Sequence, residues 1–327
     1  FRMTLSRRAM LAAPALAAPV LAALPAHAQA WPARAVHIVV PFAPGGSGDI
    51  TARLVGKYLE DKLGQPFVVE NKPGANGIVG VLAVKSSAPD GYTVMLATTS
   101  TNAANVHMYK SPGYDPEKDF SVVGIIGTSG AFLVVPADSP FKSLAELVAY
   151  AKANPGKLDY AAGNTFAMVS MSMFAARNGI DMQAVPYKSE PDAIVDLLAG
   201  RVQFALSTPP AIVKHVQAGK LRALAVAGER RSKLAPDVPT MIEAGVAGFS
   251  FFGWYGIVVP AKTPGTIVKR LNEVLVNIVK TPEVVERMTA MGNEPVGTTP
   301  AEFDRFIRTE IPKWAKVIRE AKISVAP

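Results

Sequence analysis

From Val36 onward, short runs rich in β-branched residues alternate with stretches of helical periodicity, and this alternation limits the possible folds most strongly. Strand-type and helical patterns follow one another over 36–42, 50–63, 66–70, 78–86 and 93–96. Strands that alternate with helices usually lie side by side in parallel, because each helix carries the chain back to the starting edge. The pattern therefore predicts an α/β fold with a largely parallel sheet.

The helical pattern over 50–63 has the clearest ends. Its apolar residues recur at helical spacing on one face, which predicts that the helix packs on the sheet. Asp49 is placed to cap the start of this helix, and Gly64 is placed to end it before Pro66.

A second α/β unit begins near Leu133. Further strand-type runs cover 133–136, 158–161, 184–187, 202–207 and 221–227, with helical stretches between them. After a last strand-type run at 249–259, three helical patterns follow with no further strand, and we expect them to cover the first unit. The sequence thus predicts two lobes joined by a two-segment hinge: lobe 1 from residues 31–132 plus 249–327, and lobe 2 from residues 133–248.

The N-terminal residues 1–28 have the three parts of a twin-arginine-like signal peptide. Arg7 and Arg8 precede an alanine-rich apolar stretch, and Ala26-His27-Ala28 has the small-x-small form of a cleavage site. An uncleaved membrane anchor is the alternative, but Pro14, Pro19 and Pro25 interrupt the apolar run. We expect cleavage near Ala28 and a periplasmic mature protein.

The composition excludes several classes of function. Cysteine is absent, which excludes thiolate catalysis, disulfides and zinc–cysteine sites. The formal net charge of +8 falls to +5 if the segment carrying Arg2, Arg7 and Arg8 is removed. No dense basic stretch with interleaved aromatic residues is present, so we expect no nucleic-acid partner.

A glycine-rich turn follows the first strand and leads directly into the first helix. Consecutive glycines allow a ligand to approach the backbone closely, and the free N–H groups at a helix start attract anions. Ligands of open α/β folds bind at the edge where the strands end. The turn is therefore a candidate site for a carboxylate, although a plain tight turn would have the same residues.

Three other strand-type runs end in small or hydroxyl residues just before a helix, at 98–101, 163–165 and 207–208. Each alone resembles an ordinary N-cap, but together they predict one polar cleft shared between the two lobes. The candidate ligand-binding residues are Phe42, Ala43, Pro44, Gly45, Gly46, Ser47, Asp49, Thr98, Thr99, Ser100, Thr101, Gly163, Asn164, Thr165, Tyr187, Lys188 and Ser207.

Enzymatic interpretations fit these residues poorly. Asp49 stands where a nucleophile elbow needs its last glycine, and the turn has neither a phosphate-loop nor a dinucleotide-binding pattern. Glu70, at the end of the second strand, resembles a ribose-binding acid only in position. No histidine or carboxylate group has metal-ligand spacing, so we expect neither catalytic residues nor a metal.

Several separated segments of the chain resemble the tripartite tricarboxylate transporter receptors, also called Bug-type extracytoplasmic solute receptors. The resemblance rests on WPARAVHIVVPFAPGGSGDITARL, KLGQPFVVENKPGANGIVG, APDGYTVML, LVVPADSPFKSLAELVAYAKANPGKLDYA, VPYKSEPDAIVDLLAGRVQFAL and GNEPVGTTPAEF, among others. It implies a type II periplasmic-binding-protein fold that closes on its ligand like a Venus flytrap, with no cofactor. It also implies a small carboxylate ligand and delivery to membrane permease subunits of the transporter, and we expect a monomer.

The resemblance assigns ligand contacts to two facing loops, 42–47 and 163–165. Three departures from the family pattern bear on the ligand. The second loop is one residue short and more apolar than usual, with Phe166 and Met168 nearby, Ser189-Glu190 replaces a common Gly-Ser, and Ser207 stands where an aspartate is common. Without that acid for an ammonium group, the expectation shifts toward an aromatic or otherwise apolar carboxylate. An exported enzyme acting on a small carboxylic acid, and a ligand-sensing receptor for a signalling partner, remain as alternatives.

Overall fold

Two groups of parallel strands lie on either side of an antiparallel pair in the middle of a ten-stranded sheet. The structure is a computed structural model, and it describes residues 31–323. The signal peptide predicted over 1–28 lies outside the described residues. No helix within residues 31–323 combines the length and the apolar character that a membrane crossing needs.

The strands are β1 (Val36–Val40), β2 (Phe67–Asn71), β3 (Thr93–Thr98), β4 (Phe120–Pro136), β5 (Asp159–Ala162), β6 (Gln183–Pro186), β7 (Phe204–Ser207), β8 (Leu221–Ala227), β9 (Phe252–Pro260) and β10 (Glu294–Pro295). The helices are α1 (Ser47–Leu63), α2 (Ile78–Lys85), α3 (Asn105–Met108), α4 (Leu144–Ala153), α5 (Thr165–Asn178), α6 (Glu190–Leu198), α7 (Pro209–Gln217), α8 (Gly265–Ile278), α9 (Pro282–Ala290) and α10 (Pro300–Glu320). A 3₁₀ turn (Ala75–Gly77) and a π-helical turn (Ser100–Ala104) complete the regular structure.

The strand order is β2-β1-β3-β9-β4-β7-β5-β6, and β8 and β10 also pair with β4. In the first group β1 runs parallel to β2 and β3, and in the second group β5 runs parallel to β6 and β7. The two strands between the groups, β9 and β4, pair antiparallel with each other. The predicted α/β class is confirmed, but the expectation of a largely parallel sheet is wrong: four strand pairings are parallel and five are antiparallel, because every strand that pairs with β4 or β9 runs opposite to it.

Strand β4 links the two groups and is longer than the sequence analysis predicted. Its part from Phe120 to Gly130 pairs with β9, and its part from Ala131 to Pro136 pairs with β8. The prediction began this strand only at Leu133, because glycines interrupt the β-type pattern before that residue. The two-residue strand β10, which pairs with β4, was also not predicted.

The predicted lobe boundaries fall close to the two strands that join the groups. The first boundary, after residue 132, lies inside β4, and the second, after residue 248, lies just before β9. The described residues from Pro32 onward form a single compact unit by their backbone contacts. The division into two lobes with a two-segment hinge therefore stays a prediction.

Helix α1 begins earlier than predicted. Gly46 is its N-cap, with extended backbone angles, and Asp49 lies inside the first turn instead of capping the helix. The Asp49 carboxylate instead accepts a hydrogen bond from the backbone N–H of Gly45, at 3.0 Å. Gly64 ends the helix as predicted: its φ of 71° is left-handed, and its N–H donates to the carbonyl of Glu60.

The last helix, α10, packs against both parts of the core, and this corrects the expectation that the C-terminal helices cover only the first unit. Phe303 and Ile307 belong to an apolar cluster with residues of β1, β3 and β9. Trp314 and Ile318 belong to another cluster, with residues of β5, α5 and β7. A helix of 21 residues spans about 30 Å, which is long enough to reach both clusters.

Candidate functional site

A cavity lies at the ends of β1, β3 and β5, where the chain enters the first turns of helices α1, α5 and α6. Its volume, about 60 Å³, suits a compact ligand or a few water molecules. Parallel strands bring their carboxyl ends to a common edge, which explains why segments far apart in the sequence meet here.

Many of the predicted site residues line this cavity. They come from the glycine-rich turn, from the segment after β3 and from the segment after β5: Phe42, Ala43, Gly46, Ser47, Thr98, Thr99, Ser100, Gly163 and Asn164. Thr208, in the hydroxyl pair at the end of β7, also lines it.

The other predicted residues lie outside the lining: Pro44, Gly45, Asp49, Thr101, Thr165, Tyr187, Lys188 and Ser207. Several of them bond to groups near the cavity or to other parts of the fold. The Thr165 hydroxyl donates to Asn105 Oδ1 at 2.7 Å, the Tyr187 hydroxyl donates to Asp196, and the Ser207 hydroxyl donates to Glu190. Lys188 is exposed.

Asp49 holds the glycine-rich turn in place. Its carboxylate accepts hydrogen bonds from Gly45 N–H, from Arg53 and from Asn71, each at 3.0 Å. Although burial acts to raise the pKa of Asp49, these bonds outweigh it and hold the pKa below the usual value. The residue is thus a charged support of the turn, and its side chain is fully engaged by the protein.

The start of helix α5 forms a second cluster of N–H donors. The Asn164 side chain caps this helix by accepting from Ala167 N–H at 2.9 Å. The N–H of Phe166 donates instead to the hydroxyl of Ser100, at 3.2 Å. This bond links the segment after β3 to the segment after β5 across the cavity.

The sequence analysis did not assign several residues of the lining: Gly48, Phe166, Glu190, Pro191, Gly253, Trp254 and Tyr255. Phe166 and Glu190 had been noted only as departures from the family pattern. The three residues 253–255 lie on β9, whose continuous apolar pattern is typical of a core strand. No local signal marks them as residues of a site.

Glu190 is placed against the start of helix α1. One carboxylate oxygen accepts the backbone N–H of Ser47 at 2.8 Å, and the other accepts the hydroxyl of Ser207 at 2.7 Å. Among the described residues that line the cavity there is no lysine, arginine or histidine. The side chains of the cavity therefore carry one negative charge and no positive charge.

Two buried donors at the cavity have no hydrogen-bond partner in the described part of the chain. These are the hydroxyl of Thr99 and the indole N–H of Trp254. A buried donor without a partner costs roughly 1–3 kcal/mol, so such groups usually meet water or a ligand. Both atoms have almost no solvent-accessible surface, so they lie behind the present wall of the cavity and would meet an acceptor only if the lining shifted.

Tyr255 lies beside Glu190 and stays protonated. Burial raises the pKa of its hydroxyl well above the usual range, and the negative charge of Glu190 adds to the rise. The hydroxyl is paired with the hydroxyl of Thr208 at 3.0 Å.

Comparison with known proteins places the chain in a family. Residues 51–323 match the model of the tripartite tricarboxylate transporter family receptor, TctC. The protein BugT of Bordetella pertussis is 38% identical over 301 residues, which cover 91% of this chain and 92% of BugT.

Two solved structures share the fold over nearly their whole length. R. palustris Rpa4515, solved with adipate, is 34% identical with a TM-score of 0.88, covering 90% of this chain and 99% of that one. MatC from Rhodopseudomonas palustris, solved with bound malate, is 30% identical with a TM-score of 0.83, covering 88% and 100%. These likenesses confirm the predicted periplasmic-binding-protein fold, and the chain belongs to the TctC family of tripartite tricarboxylate transporter receptors.

Proposed function

We propose that this protein is an exported receptor that binds a small carboxylate in the cavity described above and delivers it to the permease subunits of a tripartite tricarboxylate-type transporter. One observation supports the proposal most strongly. Helix starts and hydroxyl side chains from segments more than 60 residues apart converge on one cavity and bring N–H and O–H donors together there. An anion is the natural ligand of such donors.

The relatives support the ligand class. Adipate and malate, found with two structures of the same fold, are both small carboxylates. Ligand contacts through the lining residues of 42–47, 98–100 and 163–164 follow from this proposal, as does closure of two lobes around the ligand. The bonds from Ser47 to Glu190 and from Phe166 to Ser100 join the two predicted lobes and would stabilise the closed form.

Two rival functions are distinguished by simple measurements. An exported enzyme would convert the bound acid, so mass spectrometry after prolonged incubation would detect a product. A receptor for a signalling partner would bind the same ligand but would be captured with a sensor protein instead of with permease subunits. A receptor of the proposed kind returns its ligand unchanged.

A thermal-shift screen provides the direct test of ligand class. We expect at least one small carboxylate to stabilise the protein and its amide analogue to have no effect, because the amide lacks the charge that the helix-start donors favour. At about 100 times the dissociation constant, a ligand stabilises by roughly 2.7 kcal/mol. That corresponds to a rise in Tm of several degrees, at about 2–4 °C per kcal/mol or less for a chain of this size. Stabilisation by sugars, nucleotides or metal ions, but by no carboxylate, would contradict the proposal.

Export provides a second test. We expect the exported protein to begin at Gln29 or within a few residues of it, since Ala26-His27-Ala28 has the form of a cleavage site. Amino-terminal sequencing of the protein from a periplasmic extract measures this directly. A full-length product held in the membrane fraction would exclude a free periplasmic receptor.

A further inference from the structure

The side chain of Glu190 occupies an anion position that the sequence analysis assigned to the ligand. The N–H groups at the start of α1 are the donors expected to bind a ligand carboxylate. One of them, that of Ser47, is already taken by Glu190 Oε2 at 2.8 Å. In the described structure, the protein thus supplies its own carboxylate at this end of the cavity.

This carboxylate changes which ligand fits. Glu190 is the one charged side chain among the described lining residues. A dicarboxylate that fills the cavity would bring two more negative charges against it, with no lysine or arginine in the lining to balance them. Like charges at short range in a partly buried site oppose binding.

The first turn of α1 keeps a donor for a ligand carboxylate. The N–H of Gly48 belongs to this turn, where no carbonyl of the helix reaches it, and Gly48 lines the cavity. Glu190 does not bond to this N–H. A ligand carboxylate bound there leaves another group of the ligand to meet the acid.

Glu190 also replaces the acid that Ser207 lacks. The expectation of an apolar ligand rested on the absence of an aspartate at position 207. The structure places Glu190 Oε1 at 2.7 Å from the hydroxyl of Ser207, so a carboxylate is present at that point after all. Each oxygen of a carboxylate accepts more than one hydrogen bond, and Glu190 therefore has acceptor capacity left for a ligand donor.

We propose that Glu190 makes this receptor selective for a small carboxylate that also carries an ammonium group, and selective against dicarboxylates. The ammonium group pairs with Glu190, and the ligand carboxylate binds at the start of α1, at the N–H of Gly48. This inference rests on the proposed function and names the ligand class of the same cavity.

The test compares matched acids that differ in the group they carry besides the carboxylate, either at the opposite end of the chain or, for leucine and 4-methylpentanoate, on the carbon next to the carboxylate. Calorimetric titration is carried out with 4-aminobutyrate, pentanoate and glutarate, with the shorter and longer members of each series, and with leucine and 4-methylpentanoate. We expect the wild-type protein to bind an ammonium-bearing acid more tightly than the matched dicarboxylate. In the Glu190→Gln variant, we expect the ratio of the two affinities to fall by at least about tenfold, since a partly buried charge pair is lost.

Asp192→Asn is the control variant. Asp192 is an exposed carboxylate on the same helix, bonded to Ser189, and it does not line the cavity. Its neutralisation should change the ratio by no more than about twofold, because solvent screens an exposed charge. An equal effect of both variants would mean that general charge, and not contact with Glu190, sets the preference, which overturns the inference.

The remaining outcomes separate this inference from the proposed function. If the wild-type protein binds glutarate or another dicarboxylate more tightly than every ammonium-bearing acid, the inference is wrong and the carboxylate receptor stands. If the ratio is unchanged in a folded Glu190→Gln variant, the inference is also wrong. If no acid of any series binds, the proposed function itself fails. The order of affinities measured with the wild-type protein tests the inference even if the Glu190→Gln variant does not fold.

Discussion

Gly46→Val is expected to reduce ligand binding by about a hundredfold or more while leaving the protein folded. The backbone of Gly46 is extended, with φ of −79° and ψ of 169°, so valine can adopt these backbone angles without dihedral strain. A Cβ at this position would lie 3.4 Å from the Glu190 carboxylate and 3.6 Å from the ring of Pro191. The two methyl groups beyond it must enter the gap between α1 and α6, where they displace Glu190 and narrow the cavity.

Two control variants define this prediction. Gly46→Ala adds only the Cβ, which has ordinary contact distances, and should lower affinity by no more than about tenfold. Lys188→Ala removes an exposed cation outside the lining and should also cost about tenfold or less, the weak range of screened ion pairs. Titration with the best acid of the screen, with circular dichroism to verify folding, gives the ranking. Loss of binding in Lys188→Ala with binding retained in Gly46→Val would show that a side-chain cation holds the ligand.

Trp314→Ala is expected to lower the free energy of unfolding by about 3–5 kcal/mol. The Trp314 side chain is 1% exposed and packs against Phe166 and Phe251, with ring centroids 5.8 and 5.6 Å away. Its indole N–H donates to the buried carboxylate of Glu310 at 3.0 Å. Removing it leaves a cavity between α10 and α5 and takes one donor from Glu310, which keeps its bond to Lys313.

Denaturant unfolding, monitored by circular dichroism, measures this loss. Trp314→Phe keeps most of the apolar volume but loses the N–H and part of the ring, so it should cost about 1–2 kcal/mol. Lys316→Ala, at an exposed position of the same helix, should stay within about 0.5 kcal/mol of the wild type. Because Phe166 lines the cavity, the Trp314→Ala variant should also bind ligand more weakly. An unchanged unfolding midpoint in Trp314→Ala would contradict the packing described for α10.

The periodicity of the sequence was sufficient to predict the α/β class and most of its elements. Alternating runs marked β1, β2, β3 and β8 to within about two residues, and Gly64 marked the end of α1. These features depend on local chemistry: apolar spacing, β-branched side chains and the left-handed backbone that glycine adopts freely. The same reasoning placed the glycine-rich turn at the edge of the sheet, because a strand that enters a helix must end there.

The first half of β4 depended on contacts that no local pattern contains. Gly124 and Gly127 weaken the β-type signal, yet no other residue fits at either position. A Cβ at Gly124 would lie 2.8 Å from the carbonyl oxygen of Thr298, and one at Gly127 would lie 2.7 Å from that of Glu294. Both partners are more than 160 residues further along the chain, so only the folded structure reveals why the strand continues through its glycines.

The residues of the cavity likewise include some that the sequence predicted and some that only the folded structure revealed. By itself, the sequence determined which strand ends carry small and hydroxyl residues, since these residues directly follow the strands and open the helices. The tertiary structure alone decided that Glu190 faces the start of α1, 143 residues away, and that Trp254 of β9 adds an unpartnered donor. No local sequence pattern marks either residue as part of a site. The pairing of β9 with β4 and the order of the strands bring both residues to the cavity. An acid that looks like a local departure from a family pattern thus becomes a charge inside the cavity only when the sheet is assembled.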